Sequence, residues 1–334
     1  MADLKTSYMG IPLANPVIAG ASELTSHADS IRKIEDSGAG ALVIKSLFEE
    51  QIQLERARFE EEQGMYNDLS AEMHSLYPEA QHSGPESHLL WVRKAKESVS
   101  IPVIASLNAV NKATWSEWAI KLQDTGVNGL ELNFFANPDQ QAGDAASIEK
   151  DQIEAVKAVV KAVKIPVSIK MSLFYTAPIA AAKAFADAGA KGLVLFNKFF
   201  QPDINVEKES STLPLNLSIA TDNRLPLRYA GLLHGETKAS ICASSGIMDG
   251  LDVAKMILAG ADVIQVVSTL YRNKITQIGR IVKDLEKWMD GKGYSSLEDF
   301  RGKMSKKNSK DPWAYKRAQY VKLLMKPDPM GIIR

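Results

Sequence analysis

The chain of 334 residues contains a single cysteine, Cys242. A lone cysteine excludes an internal disulfide bond, and it also excludes a Cys₄ or Cys₃His zinc site or an iron–sulfur cluster held by this chain alone. We therefore expect no metal site and a reducing compartment, the cytoplasm. No run of about 18 apolar residues occurs, and no basic segment followed by an apolar one lies near residue 1, so the sequence predicts neither a membrane span nor a signal peptide.

An excess of charge of one sign is also missing. Lysine plus arginine and aspartate plus glutamate each number 40, so the formal net charge is zero. This balance argues against a basic surface for nucleic acid and against an acidic disordered chain. With 45% hydrophobic and 24% charged residues, the composition is that of a globular protein. We expect a small-molecule partner rather than nucleic acid.

One short pattern recurs along the chain. DSGAGALVIKS, DTGVNGLELNF, DAGAKGLVLFN and LAGADVIQVVS each place a glycine after a helix-like stretch and before a β-rich apolar run. A glycine suits the left-handed position that ends a helix, and a continuous apolar run is typical of a parallel strand buried on both faces. IPVIASLN and IPVSIKMS begin two further strands with Ile-Pro-Val, since proline is tolerated at the first position of a strand.

Together with NPVIAGAS and SICASSGI, these segments predict eight strands, over residues 16–20, 41–45, 102–107, 129–133, 167–171, 192–196, 240–243 and 262–266. Helical patterns lie between nearly all of them, the clearest being SIEKDQIEAVKAVVKAVK. Eightfold alternation of strand and helix predicts an α/β fold, the (β/α)8 TIM barrel. A doubly wound sheet is the alternative, but it usually has fewer strands and often a G-x-G-x-x-G turn, which this sequence lacks.

The length fits a single barrel domain over residues 1–334 with three additions. Residues 48–86 follow the second strand and residues 198–226 follow the sixth, so both insertions leave the carboxyl ends of strands, where barrel active sites are built. They are either loops over a substrate or surface elaborations without a catalytic role. Residues 294–334 form a C-terminal helical tail, which packs on the flank of the barrel or serves as a partner surface.

Polar residues follow almost every predicted strand, at the face where a barrel holds its ligands. They are mostly amides, lysines and small hydroxyl residues: Ser22, Lys45, Ser46, Ser106, Asn108, Glu131, Asn133, Lys170, Asn197, Lys198, Ser244, Ser245, Ser268 and Thr269. Each alone is typical of a local hydrogen bond, but together they suit a large heteroaromatic, phosphorylated cofactor. Amides bind ring edges, a lysine stabilises negative charge on a reduced flavin, and the small residues after the last two strands are typical of a phosphate site.

The ordered set ANPVIAGAS, ALVIKS, IPVIASLN, GLELN, PVSIKMS, LFNK, SSGI and GYSSLEDFRGKM resembles the dihydroorotate dehydrogenase family of FMN-dependent barrels. The resemblance extends from about residue 6 to residue 304. It implies FMN as the cofactor and the oxidation of dihydroorotate to orotate, a CH–CH dehydrogenation in pyrimidine biosynthesis. It also implies a homodimer or a separate electron-transfer subunit.

The resemblance assigns roles to residues at the predicted strand ends. The residues implied to bind the flavin or the neighbouring substrate are Ala19, Gly20, Ala21, Ser22, Lys45, Ser46, Asn108, Asn133, Lys170 and Asn197. Those implied to hold the phosphate are Ser245, Gly246, Ser268 and Thr269. In the flavin and substrate set, the resemblance implies that Lys170 stabilises the anionic reduced flavin and that Asn133 and Asn197 lie at the substrate.

The segment after the fourth strand departs from the family pattern. Members that oxidise dihydroorotate carry a Cys or Ser base in Asn-x-Ser-[Cys/Ser]-Pro-Asn, whereas residues 133–138 of this chain read NFFANP. Neither Phe135 nor Ala136 can accept a proton, and the loss of a general base costs about 10²–10⁴ in rate. The sequence therefore weakens the assignment of dihydroorotate as substrate.

Other residues are candidates for the missing functions. Tyr175, Ser172 and Lys198 each lie just past a predicted strand end, and Tyr175 is the most natural proton donor if the substrate is reduced, unless it is a packing aromatic. Asn67 is a stand-in for the substrate-binding asparagine of the loop after the second strand. The small glycine pair of the phosphate loop is replaced by a segment that reads Ser-Ser-Gly over residues 244–246.

Three alternatives stay open beside a dihydroorotate dehydrogenase. The first is a related FMN dehydrogenase or reductase of another small ring substrate. The second is a phosphate-binding barrel lyase or isomerase that uses Lys170 or Lys45 as a Schiff-base nucleophile. The third is a flavin-binding barrel without catalytic activity. The electron acceptor is also open among fumarate, a quinone, a ferredoxin and NAD reached through a separate iron–sulfur subunit. The quinone is disfavoured, because no amphipathic membrane extension precedes Tyr8.

Overall fold

The structure, a computed structural model, describes residues 2–54, 85–134, 144–199 and 201–310, together with residues 315, 316, 321 and 325. Its strands are β1 (Thr6–Tyr8), β2 (Ile11–Leu13), β3 (Val17–Ala19), β4 (Ala41–Val43), β5 (Leu47–Phe48), β6 (Val103–Asn108), β7 (Gly129–Asn133), β8 (Val167–Met171), β9 (Gly192–Leu195), β10 (Asp203–Asn205), β11 (Ser210–Thr212), β12 (Ser240–Ser244) and β13 (Val263–Val266).

Eight of these strands form a closed parallel barrel. The order around it is β3, β4, β6, β7, β8, β9, β12 and β13, and the pairing of β13 with β3 closes the ring. The predicted (β/α)8 TIM barrel is therefore confirmed. The eight predicted strands agree with the observed ones to within two residues at either end.

Helices surround the barrel and follow its strands. They are α1 (Ala28–Asp36), α2 (Pro85–Ser98), α3 (Lys112–Gln123), α4 (Ala145–Ala162), α5 (Pro178–Asp187), α6 (Arg224–Leu233), α7 (Gly250–Ala259), α8 (Ser268–Asn273) and α9 (Gln277–Lys292). The glycine of each repeated segment has a positive φ, between 84° and 121°, as expected of a residue that ends a helix in the left-handed region. No helix in the described part of the chain combines the length and apolar character that a membrane crossing requires.

An N-terminal hairpin of β1 and β2 covers the amino end of the barrel, and the sequence did not predict it. Tyr8 and Met9 from this hairpin pack with Ile18 and Val194 from the strands into a buried apolar layer inside the barrel. Cys242 is fully buried in the same layer, and burial raises the pKa of its thiol well above the usual range. The cysteine is therefore an inert packing residue.

The described parts of the insertions and the tail attach to this barrel. Strand β5 pairs with β6 beyond the end of β4, and residues 49–54 continue as helix. In the second insertion, β10 and β11 form an exposed antiparallel hairpin. In the tail, Phe300 packs against Trp288 of α9, and the Tyr315 hydroxyl donates to the Met304 carbonyl at 2.6 Å. Four apolar residues of the predicted tail, at positions 313, 320, 323 and 324, lie outside the described residues.

Candidate active site at the carboxyl ends of the barrel strands

Buried amide and ammonium groups meet at the carboxyl ends of neighbouring strands. Asn108 ends β6, Asn133 ends β7, and Lys170 lies opposite Asn133 in the ladder between β7 and β8. Each of these three residues is only 7% exposed. Because inward-facing residues of adjacent parallel strands lie side by side, the ladder holds polar side chains together that are far apart in sequence.

The two asparagines on either side of β8 bond to each other. Asn197 follows β9, and its Nδ2 donates to Oδ1 of Asn133 at 2.9 Å. The Asn197 backbone is fixed by its N–H, which donates to the carbonyl oxygen of Met171 at 2.9 Å. This geometry leaves the side-chain amide hydrogens of Asn133 and the side-chain oxygen of Asn197 for other partners, so a donor and an acceptor lie side by side.

A carboxylate that the sequence did not assign to any role lies one layer below. Glu131 is 1% exposed, its Oε1 lies 3.6 Å from Nζ of Lys170, and its Oε2 accepts a hydrogen bond from Nε2 of Gln265 at 2.6 Å. Gln265 is in β13, on the far side of the barrel ring from β7. The only sequence signal for this pair was a polar residue within an apolar strand, in LELN and in VIQVV.

The ends of the first two strands are shaped by small residues and one ion pair. A Cβ on Gly20 would lie 2.8 Å from Cγ2 of Val267, so no larger residue fits there without a shift. It is flanked by buried Ala19 and by half-buried Ala21 and Ser22. Only small side chains therefore occupy the first strand end.

At the second strand end, Lys45 forms an ion pair with Glu23, a residue just after the first strand. Ser46 is buried, and its Oγ lies 2.7 Å from Oγ of Ser106 at the next strand. His88 of α2 is close enough to Lys45 for the lysine charge to act on it. Burial, assisted by that charge, lowers the pKa of His88 from 6.5 to about 4.

The ends of β12 and β13 form a cradle of backbone and hydroxyl groups. Ser245 and Gly246 both have positive φ, 81° and 70°, and a Cβ on Gly246 would lie 2.3 Å from the backbone nitrogen of Asn223. The Gly246 N–H donates to Oγ of Ser218 at 3.1 Å, and the Ser218 N–H donates to Oγ of Ser268 at 2.8 Å. Ser218 belongs to the second insertion, and no sequence pattern predicted that it would bond to this cradle.

Thr269 is the next residue at this cradle. It is 1% exposed, and its Oγ1 donates to the carbonyl oxygen of Met248 at 3.2 Å. Ser268 and Thr269 begin α8, so the last barrel strand passes directly into a helix at this point. The loops after β12 and β13 are therefore joined by hydrogen bonds that run through the insertion.

The candidate acids and bases have hydrogen-bond or ion-pair partners of their own, or they lie outside the described residues. The Tyr175 hydroxyl donates to Oε1 of Gln152 in α4 at 2.7 Å, and its ring packs edge-on against Phe185 of α5, so it faces the helical layer. Burial raises the pKa of the Tyr175 hydroxyl. Lys198 pairs with Asp222, and the Ser172 hydroxyl accepts from the Phe174 N–H at 3.0 Å. Residues 135–143, with the replaced base, and Asn67 lie outside the described residues.

Within the described part of the chain, no group of three or more His, Cys, Asp or Glu side chains is arranged to hold a metal ion. What remains is a closed parallel barrel whose strand ends carry buried amides, a paired lysine and a glycine-containing cradle. Fold and site together define a TIM-barrel enzyme with its chemistry at the carboxyl face.

Comparison with known proteins identifies the family. The sequence profile described as dihydroorotate dehydrogenase matches residues 3–289. The chain therefore belongs to the dihydroorotate dehydrogenase family, whose members are oxidoreductase enzymes. The predicted family and enzyme class are confirmed.

The relatives are distant, and two of the three described here cover nearly the whole chain. A putative dihydroorotate dehydrogenase A (fumarate) of Aeropyrum pernix is 28% identical over 317 residues, which are 90% of this chain and 97% of that protein. The catalytic subunit of a dihydroorotate dehydrogenase B (NAD(+)) of Thermoplasma volcanium is 26% identical over 309 residues, 90% and 98% of the two chains. A dihydroorotate dehydrogenase A (fumarate) of Lactobacillus helveticus is 26% identical over 209 residues, covering 61% and 68%.

Proposed function

We propose that this protein is an FMN-dependent oxidoreductase that acts on a CH–CH bond of a small amide-containing ring, with dihydroorotate as the first candidate substrate. The observation that carries the proposal is the pair of buried Asn133 and half-buried Asn197 beside Lys170, at the carboxyl ends of three adjacent strands. The relatives' names support the same reaction type.

Several features of the strand ends support FMN as the cofactor. At Gly20 and Gly246 an added Cβ would overlap neighbouring protein atoms, Cγ2 of Val267 and backbone atoms of the insertion, so the chain packs closely at both strand ends. Oε1 of Gln265 is buried without a hydrogen-bond partner among the described residues, and it lies near Gly20. The backbone and hydroxyl groups after β12 and β13 suit a phosphate, and the amides and the lysine at the other strand ends suit a polar ring.

The residues proposed to hold FMN follow from this arrangement. Around the ring we place Ala19, Gly20, Ala21, Ser22, Lys45, Ser46, Asn108, Asn133, Lys170 and Asn197. At the phosphate we place Ser245, Gly246, Ser268 and Thr269, and we add Ser218. The Ser218 hydroxyl accepts from Gly246, so its own hydrogen can be donated to a phosphate oxygen.

When bound, FMN supplies the hydride acceptor, and the side chains of this chain do the rest. The Asn133 amide hydrogens and the Asn197 carbonyl oxygen offer one donor and one acceptor to a ring that carries an amide. The buried Lys170 ammonium stabilises negative charge in a place from which water is largely excluded. Because Asn133 and Lys170 are opposite each other in one ladder, substrate binding and charge stabilisation are aligned by the barrel itself.

A second candidate follows from the segment NFFANP at residues 133–138. With phenylalanine and alanine in place of a base, dihydroorotate oxidation by the usual route is about 10²–10⁴ slower than with a base in place. A related ring substrate whose reaction needs no side-chain base at this point would not suffer this loss. We therefore keep a dehydrogenase or reductase of another small ring as the alternative function.

The electron acceptor and the partner are part of the same proposal. The names of two relatives specify fumarate, and those of six specify NAD(+) with the words catalytic subunit. We propose either a homodimer that uses a small acceptor or a complex with a separate electron-transfer subunit. Reoxidation of the reduced protein by fumarate alone supports the first; a requirement for an added cell fraction to couple reoxidation to NAD⁺ supports the second.

The first experiment is purification and reduction. We expect a yellow protein that retains FMN; a colourless protein that stays flavin-free after incubation with FMN contradicts the cofactor. Anaerobic mixing with dihydroorotate then separates the two candidates, since bleaching of the flavin supports dihydroorotate and its absence supports another ring. Lys170→Ala should weaken FMN binding or slow reduction at least tenfold, while Lys191→Ala, an exposed lysine at the opposite face, should not.

A further inference from the structure

The barrel interior holds a second charge that the proposed reaction does not use. Glu131 lies two residues before Asn133 in β7, so both side chains point inward, while the alternate residues Leu130 and Leu132 face the helices. Glu131 is opposite Ser106 in one ladder and Ser168 in the other. This places the carboxylate one layer below the ring of site residues.

The contacts of Glu131 tie it to both sides of the site. Its Oε2 takes a 2.6 Å hydrogen bond from Gln265, and its Oε1 lies 3.6 Å from Nζ of Lys170. The second distance is an ion pair but longer than a hydrogen bond, so the ammonium hydrogens are not committed to Glu131. Lys170 can therefore direct a hydrogen bond towards a ligand while its charge is still offset from below.

Among the described residues, two buried oxygen atoms at this position lack a hydrogen-bond partner, Oε1 of Glu131 and Oε1 of Gln265. The Gln265 oxygen is directed at Gly20, where an added Cβ would lie 3.3 Å away. Buried polar atoms without partners are rare in native proteins, and at a site they indicate a role beyond stability.

Two lysines at the strand ends each form an ion pair with a carboxylate, Lys170 with Glu131 and Lys45 with Glu23. The first pair is the more consequential, because its side chains are 9% and 1% exposed, against 34% and 43% for the second. Charges act far more strongly where water is excluded.

We propose that Glu131 lowers the reduction potential of the flavin by offsetting the positive charge of Lys170. The proposal rests on the proposed function, since it requires FMN at the strand ends. Reduction adds negative charge to the flavin, so a cation below it favours the reduced form and a carboxylate opposes it. Glu131 is a positioning and tuning residue and does not touch the reacting atoms.

The test is a redox titration of the FMN-loaded protein and its variants. Glu131→Gln keeps the size of the side chain and can still accept from Gln265, but it removes the negative charge. We expect it to bind reduced FMN more tightly relative to oxidised FMN, by on the order of tenfold, and so to raise the potential. Gln265→Leu, which removes the hydrogen bond without changing any charge, is the matched control and should change this ratio less than threefold.

Three outcomes decide the matter. If both proteins bind FMN and the reduction potential of Glu131→Gln is equal to or below that of the wild type, the inference is overturned. The same shift in Gln265→Leu also overturns it, because the effect would then come from packing. A wild-type protein that binds no FMN overturns the proposed function instead, so the two failures are distinguishable.

A second pair of variants covers the case in which the single variant does not fold. Lys170→Met with Glu131→Gln removes both charges together and leaves no unpaired buried charge. Compared with Lys170→Met alone, the double variant should show a higher potential. An unchanged or lower potential contradicts the proposal as directly as the single variant would.

Discussion

Substitution of Gly246 by alanine tests the cradle at the ends of β12 and β13. Gly246 has φ of +70°, and a Cβ there would lie 2.3 Å from the backbone nitrogen of Asn223 and 2.8 Å from the carbonyl oxygen of Ile219. The left-handed conformation costs alanine about 1–2 kcal/mol. Because the atoms in the way are backbone, the 220–223 turn must also move, which adds about 1–3 kcal/mol.

Gly293 provides a matched control for this variant. It has φ of +72° at the end of α9, but no atom lies within 4 Å of an added Cβ. Gly293→Ala should therefore lose only about 1–2 kcal/mol from the left-handed conformation, and Gly246→Ala about 2–5 kcal/mol, as measured by urea unfolding. Only Gly246→Ala should weaken FMN binding, by at least about tenfold in a fluorescence titration. Equal stability and equal FMN affinity of the two variants would refute the reasoning.

Three further predictions concern side chains around the site. His88 has a pKa of about 4 in the folded protein against 6.5 in the unfolded chain, so the native state binds fewer protons. The free energy of unfolding should therefore fall by up to about 3 kcal/mol as the pH falls from 6.5 to 4. His88→Gln should remove that part of the pH dependence, and an unchanged slope would contradict the prediction. Burial raises the pKa of Glu49, but hydrogen bonds from the N–H groups of Val110 and Asn111 outweigh burial and lower the pKa below 4.5. Glu49→Gln should therefore reduce the free energy of unfolding by about 2 kcal/mol at pH 7, and by progressively less as the pH falls through the folded pKa. A loss independent of pH would argue against these contacts. Tyr175→Phe should cost about 1 kcal/mol and leave flavin reduction within twofold, whereas a tenfold slower reduction would restore the prediction that Tyr175 donates a proton.

The barrel was predictable because its signals are local. Each strand is a short apolar run, and in four repeats a glycine ends the preceding helix, so pattern and geometry coincide residue by residue. The site residues at strand ends could be named for the same reason, since a parallel barrel brings the carboxyl ends of all its strands to one face. Asn133, Lys170 and Asn197 were found in this way and are adjacent in the structure.

The residues that were missed depend on contacts across the fold. Gln265 and Glu131 are 134 positions apart, and neither has a local pattern that announces the other. Ser218 is one serine in an irregular segment, and only the folded chain shows that it bonds to both Gly246 and Ser268. The N-terminal hairpin is similarly hidden, because two strands of three residues are too short to carry a periodic signal.

These missed contacts bear on the second insertion, residues 198–226. Its tip is the exposed hairpin of β10 and β11, but its root supplies Ser218 to the cradle and the 220–223 turn that packs against Gly246. A segment that only closed over the site could be removed without dismantling it, whereas this root forms hydrogen bonds to both loops. The root is therefore part of the cradle, and we expect a ligand bound at the proposed phosphate site and the folded root to stabilise each other, because the root supplies hydrogen-bond partners there.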